Sequence, residues 1–567
     1  MTPLTPPLTA PDQQTLPDRT DVLVIGTGVA GLVAALSAHA AGLAVQVVEK
    51  AALLGGNTAM SGGLLWVPNN PLQREDGVTD SAEMARAYLD AVLGEPVPAS
   101  SPARRAAFVS SGPEMVTFLR SLGIELHRCA CYSDYYPEAP GGVPDGRSVR
   151  VATFDLNRLG PWRTLVRPRN LFPGVPIHME EVADANVASR TWAGVKTVAR
   201  IAARGIGGRL RGQRPDSLGG SLIGALLLAL LERGVPVHPG TALRDLVVDD
   251  GVVTGAVLGL RDGSTRTVTA GSVILAAGGF SQNEVLRKEY GPSPASTEWT
   301  LASPDETGDG ILAGQAVGAA LDLMDEAIWM GTSVRPDGHR DMHLYDRCLP
   351  HSIVVDSSGR RFVNESTDYA RFGQALYRRN ADVPSVPSWL IVDSRHRNRY
   401  SLGDIFARLT PKRLIAEGYL HKADTIAGLA RSIGVDPEAL TATVERFNGF
   451  AQRGVDEDFR RGDSHYDRYL ADPRTGPNPA LGAISKAPFY AVQCFPGDVG
   501  TTGGLLTDEH SRVLRADGSV IPGLYAAGTC AATVMGRAYP GPGASIAAGA
   551  TFGYLAGRHA ARPVDAV

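Results

Sequence analysis

Five cysteines in 567 residues are too few, and oddly numbered, for a disulfide framework, and none has zinc-site spacing. Cys129 and Cys131 lie one residue apart without a companion pair and read as bystanders, which fits a reducing cytoplasm. An excess of one charge is missing too: 55 Lys and Arg against 59 Asp and Glu leave a net −4. That balance excludes a global attraction to nucleic acid or anionic lipid. Long apolar runs are also absent. The longest, Leu222 to Leu231, has 10 residues, whereas a bilayer span needs about 20, so it reads as a buried helix. Residues 1–19 are rich in Pro and Thr and lack a basic start followed by an apolar stretch. They are expected to form a disordered leader rather than a secretion signal.

What is present points to a globular enzyme, with 44% hydrophobic and 20% charged residues. The length exceeds what one core usually organises, so two domains are expected. From Asp21 the chain reads Val22-Leu23-Val24-Ile25, then Gly26-Thr27-Gly28-Val29-Ala30-Gly31, an Ala- and Leu-rich stretch to Ala41, and Val45 to Glu49. This is strand, glycine turn, helix, strand. Gly26 makes the turn, Gly28 admits a pyrophosphate to the helix N-terminus, Gly31 lets helix pack on strand, and Glu49 stands where a ribose hydroxyl would sit. The flanking elements make this a dinucleotide site rather than a chance glycine pattern.

A second cluster, Gly55-Gly56-Asn57-Thr58 and Ser61-Gly62-Gly63, follows directly and favours FAD over NAD, because one large cofactor lying along the sheet needs the extra loop. Three further fragments agree: Val273 to Gly279 with Ala277 and Gly278, Thr307-Gly308-Asp309-Gly310, and Gly523 to Gly528. Each places small residues where a flavin and its ribityl chain could contact backbone.

Near residue 540 the sequence Gly536-Arg537-Ala538-Tyr539-Pro540-Gly541-Pro542-Gly543 sets a phenol and a glycine-freed backbone in one turn. A Tyr O–H and a backbone N–H converging on one ketone oxygen would stabilise an enolate. An ordinary surface turn is the plainer reading of this segment alone.

Taken together, the motifs resemble those of FAD flavoproteins of the succinate dehydrogenase and fumarate reductase superfamily, and within it the 3-ketosteroid Δ1-dehydrogenases, over about residues 21–560. The resemblance rests on Gly55 to Thr58 with Ser61 to Pro68, on Asp134-Tyr135-Tyr136-Pro137, on Arg361 to Ser366 leading to Tyr369, and on Tyr539 to Gly543. It implies an α/β fold, with a Rossmann-like FAD-binding domain and an inserted α+β catalytic domain. It also implies active-site positions at Tyr135, Tyr369, Tyr539 and the Gly543 N–H. Tyr539 and Gly543 would hold a C3 ketone, Tyr369 would take a C2 proton helped by a hydrogen bond from Tyr135, and flavin would accept the C1 hydride. A histidine found beside a Thr-Met-Gly-Gly stretch in fumarate reductases is missing at Gly500-Thr501-Thr502-Gly503-Gly504. That weakens a dicarboxylate-reductase reading: a 4-ene-forming 5α-steroid dehydrogenase ranks second, followed by a fumarate reductase-like flavoenzyme or a non-catalytic flavin- or steroid-binding protein.

The flavin motifs fall at about 20–329 and 492–567, and the stretch 330–491 holds Tyr369, so a catalytic domain is expected between the two parts of the FAD-binding domain. The substrate, a 3-ketosteroid with or without a C17 side chain, is expected at their junction. With one dinucleotide motif visible, a quinone is the expected electron acceptor. A basic insert spans about 160–215. Between Arg190 and Arg214 it has seven basic residues and no acid. Lys196, Arg200 and Arg204 fall on one helical face and Val195, Val198 and Ala202 on another, which fits either a solvated basic helix or one lying on the inner face of an anionic membrane.

Overall fold

The computed structural model describes residues 8–169 and 172–562. Residues 22–25 of strand Arg19–Ile25 are an apolar run in the pattern of a strand buried on both faces, and the strand lies in the middle of an eight-stranded sheet. Its order is Arg512–Leu514, Val520–Ala526, Thr265–Leu275, Arg19–Ile25, Val45–Glu49 and Val237–Pro239. The pairings from Val520–Ala526 across to Val237–Pro239 are parallel. Ala242–Asp249 and Val252–Gly259 form an antiparallel arm on Thr265–Leu275. The mostly parallel sheet demands covering helices. Helix Leu218–Glu232, buried through Leu230 and containing the 10-residue apolar run, is one of them and packs on helix Val29–Ala40.

The second sheet is antiparallel, in the order Arg340–Met342, Ala327–Val334, Phe489–Thr501, Ser388–Val392, Ser352–Val355, with His421–Ala423 added on Phe489–Thr501. Its side chains alternate between two cores, as a period of two requires. Ile353, Val355 and Ile391 pack with helices Ile426–Ile433 and Pro437–Arg453. Val354, Leu390 and Val392 pack with Phe372 and Leu376 of helix Tyr369–Asn380. That i, i+4 pair seats the helix on the sheet and fixes where Tyr369, its first residue, points.

Helix Ala544–His559 lies almost in contact with the backbone of helix Val29–Ala40. A Cβ on Gly553 would fall 2.3 Å from the Ala30 carbonyl oxygen, and one on Gly557 2.3 Å from that of Ala34. The Ser37 hydroxyl donates to the Tyr554 carbonyl at 2.8 Å.

Two expectations change here. Of the leader expected to be disordered, residues 1–7 lie outside the described residues, while 8–19 pack on the body. Leu16 is buried, Trp162 Nε1 donates to the Thr9 carbonyl at 2.9 Å, and Gln14 Oε1 accepts the Val237 N–H at 2.6 Å. A buried indole needs an acceptor and an edge strand needs its N–H satisfied, and this segment supplies both. The basic insert, of which 170 and 171 lie outside the described residues, forms helix Trp192–Leu210. Arg204 does not join an outward basic face. It is 20% exposed and pairs with Glu181 at 2.7 Å. Among the described residues, no helix is long and apolar enough to cross a membrane.

Candidate active site

A cavity with about 1860 Å³ of empty space, its open mouth included, runs from the C-terminal edge of the parallel sheet to the second sheet. Gly26 takes φ +113°, and a Cβ there would meet the Ala276 carbonyl oxygen at 2.2 Å. The chain can therefore turn sharply from strand into helix only with glycine. Gly28 caps helix Val29–Ala40, so its first-turn amides face the cavity. Glu49 ends the neighbouring strand. Its Oε2 accepts the Thr27 N–H at 3.0 Å and hydroxyl at 2.6 Å, and its Oε1 accepts the Ala51 N–H at 3.0 Å.

Gly56, Asn57, Thr58, Ser61, Gly62 and Gly63 line the next stretch of wall, facing Ala277, Gly278, Asp309 and Gly528. The Thr58 hydroxyl accepts the Val29 N–H at 3.2 Å, and Asn57 Nδ2 donates to the Val499 carbonyl at 3.1 Å while its Oδ1 accepts the Ser303 N–H. Lys50 reaches Asp309 at 2.8 Å. Gly31 is the one expected cofactor residue off the wall: a Cβ there would sit 2.0 Å from the Gly26 carbonyl oxygen, so it serves close helix packing. A glycine-lined cradle, a helix N-terminus for a pyrophosphate, and Glu49 with Lys50 at one end fit FAD.

At the other end three phenols meet. Ring centres are 5.7 Å apart for Tyr135 and Tyr369, 5.3 Å for Tyr369 and Tyr539, and 5.9 Å for Tyr135 and Tyr539. Gly543, at φ +95°, caps helix Ala544–His559 and joins them on the wall. The turn is tied down by its carbonyls. Pro540 accepts the Tyr88 hydroxyl at 2.5 Å and the Tyr135 N–H at 3.1 Å, and Pro542 accepts the Ser148 hydroxyl at 2.6 Å. Trp66 lies beneath Gly541, where a Cβ would be 2.3 Å from Nε1, and donates to Asp134 at 2.7 Å.

Burial pushes the Tyr369 phenol well above its usual value, and the neighbouring phenols of Tyr135 and Tyr539 push it further. Several wall residues carried no sequence signal: Ile328, Met330, Met342 and Leu344 from the second sheet and its connections, with Tyr132 and Met179 opposite. Ser545, which shares a hydrogen bond with the Tyr539 hydroxyl at 3.0 Å, lies two residues past the Tyr539–Gly543 motif. Its position in the first turn of a helix was the available clue.

The FAD binding domain family matches residues 21–546. The chain is 44% identical over 563 residues to a 3-oxosteroid 1-dehydrogenase of Mycolicibacterium smegmatis, covering 94% of this chain and 96% of that one. It is also 44% identical to a 3-oxosteroid 1-dehydrogenase of Mycobacterium tuberculosis, with 95% and 98% covered. The crystal structure of 3-ketosteroid Δ1-dehydrogenase from Sterolibacterium denitrificans, in complex with 1,4-androstadiene-3,17-dione, superposes with a TM-score of 0.91 at 35% identity, over 96% of this chain and all of that one. With the cradle and fold described above, these likenesses place the chain in the FAD-binding flavoprotein family and, within it, among the 3-oxosteroid 1-dehydrogenases, as an FAD-dependent oxidoreductase.

Proposed function

We propose that the enzyme removes hydrogen from C1 and C2 of a 3-ketosteroid, converting a 4-ene-3-one to a 1,4-diene-3-one, a step of steroid degradation. The observation that carries this reading is the meeting of three phenols and a helix-capping glycine at the far end of a flavin cradle. FAD, when bound, supplies the acceptor for the C1 hydride.

The Tyr539 O–H and the Gly543 N–H donate to the C3 oxygen and stabilise the charge that develops as the C2 proton leaves. Freed from the ketone, the Tyr539 hydroxyl rests on Ser545. Tyr369 takes the C2 proton. A phenol raised by burial is a strong base once ionised. Tyr135, touching both rings, relays the proton onward. The apolar walls from Ile328, Met330, Met342 and Leu344 exclude water and hold a flat hydrocarbon skeleton.

The same reading assigns a quinone as electron acceptor and places the enzyme in the cytoplasm, against the inner face of the membrane. The five free thiols, four of them buried, support a reducing compartment. Helix Trp192–Leu210 supports the surface contact. Beyond its buried side of Gly194, Thr197, Ile201, Gly205 and Gly208, it turns Trp192, Ile206 and Leu210 outward, at 80%, 59% and 84% exposure.

The test is anaerobic mixing of the yellow enzyme with 4-androstene-3,17-dione. Bleaching of the visible flavin band with formation of the 1,4-diene is expected. In Tyr369→Phe and Tyr539→Phe turnover falls by about 100-fold or more with flavin retained. A chain that binds steroid without bleaching defeats the reading.

A further inference from the structure

Tyr135 has a neighbour that no step above uses. Tyr136 does not line the cavity, and its hydroxyl donates to Asp368 Oδ2 at 2.7 Å. The other oxygen of Asp368 accepts the N–H groups of Ala370 at 3.1 Å and Arg371 at 3.0 Å, capping helix Tyr369–Asn380. Both oxygens are therefore committed, and the carboxylate is 1% exposed. The Arg371 guanidinium lies 3.8 Å from the centre of the Tyr136 ring, so the phenol is held at its face as well as at its tip.

The contact belongs to a longer chain. The Tyr136 N–H donates to the Tyr88 hydroxyl at 3.3 Å, and that hydroxyl donates to the Pro540 carbonyl beside Tyr539. Tyr135 precedes Tyr136, and Asp368 precedes Tyr369. One run of hydrogen bonds thus joins the turn bearing Tyr539, the loop bearing Tyr135 and the helix bearing Tyr369. The only side-chain link from the Tyr135 loop to the helix cap in that run is the Tyr136 hydroxyl.

We infer that Tyr136 is a positioning residue, which sets the Tyr369 phenol against Tyr135 and Tyr539 by holding Asp368. The inference rests on the reading of Tyr369 as the base. Removing the hydroxyl leaves a buried carboxylate oxygen without a donor, and the first turn of the helix shifts to find another. A misplacement of the order of 1 Å at a reacting group is felt in turnover far more than in binding.

The experiment uses the FAD-loaded enzyme with 4-androstene-3,17-dione and its 2,2-dideuterated form, in Tyr136→Phe, Asp368→Asn, the double variant and Tyr369→Phe. Phenylalanine keeps the ring under Arg371, and asparagine still caps the helix. In Tyr136→Phe, kcat is expected to fall about tenfold and KM to stay within about twofold. Flavin absorbance is retained, and the isotope effect from C2 deuterium rises because proton removal becomes more rate-limiting. The double variant is no slower than the slower single one, as two changes on one path require.

A kcat for Tyr136→Phe within about twofold of the parent, or an unchanged C2 isotope effect, or fully additive losses, overturns the inference. Should Tyr136→Phe lose its flavin, Asp368→Asn decides alone by the same kcat and isotope criteria. Turnover retained in Tyr369→Phe defeats the base assignment itself. Turnover lost there but normal in Tyr136→Phe defeats only the positioning role.

Discussion

At the scale of single residues the cavity wall contains a carboxyl in an unusual position. Glu306 is 5% exposed, and its Oε2 meets no donor. Burial raises it to about 7, opposed by the Gly279 amide and reinforced by the charge of Asp498. The folded chain then keeps a proton that the unfolded chain releases near the ordinary carboxylate value, so the contribution of Glu306 to stability is greatest at low pH and declines as pH rises toward 7. The slope is up to about 1.4 kcal/mol per pH unit, and it flattens above that value. In Glu306→Gln this contribution disappears. Urea unfolding at pH 5 and pH 8 is expected to show the variant gaining on the parent by on the order of 2 kcal/mol at the higher pH. Equal pH dependence in both proteins would show that Glu306 titrates normally.

At the scale of elements, the legible parts were those set by neighbouring residues. The turn from Ile25 through Gly26 to helix Val29–Ala40 follows from strand pattern, glycine freedom and helix periodicity, all within one window. Glu49 is fixed by the strand it ends. What brings Met330, Met342 and Tyr132 to one wall is the docking of a second sheet onto the first, and no local pattern encodes it. Arg204 shows the same limit: its spacing from Lys196 and Arg200 implied a shared face, yet Glu181, on another helix, draws it inward. The contact between helices Val29–Ala40 and Ala544–His559 depends on the absent side chain of Gly553. Gly553→Val should force the pair apart, lowering stability by about 1–3 kcal/mol. Because Gly28 and Gly543 cap these two helices, flavin is expected to be lost on gel filtration. Thermal unfolding and flavin content measure both effects, and unchanged flavin would separate the helix contact from the cradle.

At the scale of the whole molecule, net charge and surface chemistry diverge. The chain is weakly acidic overall, while helix Trp192–Leu210 presents apolar side chains between Lys196, Arg200 and Arg211 on one side and Arg209 on the other. Trp192→Glu combined with Leu210→Glu is expected to abolish co-sedimentation with vesicles containing anionic lipid. Turnover of 4-androstene-3,17-dione added in solution should be kept, because neither residue lines the cavity. Binding by the parent should weaken as salt is raised, in line with screening over about 10 Å at 0.1 M. Co-sedimentation unaffected by the two changes would assign the helix to solvent.

The near-contact of those two glycine-capped helices also governs how the protein comes into being. Ser37 and Tyr554, which bond across it, are separated by 517 positions. Along the chain, the strand, turn and helix of residues 19–40 come early, whereas the Tyr539–Gly543 turn and helix Ala544–His559 of the same cavity follow only after the second sheet. Contacts so distant in sequence form slowly, so firm retention of the flavin is expected only once both helices have docked.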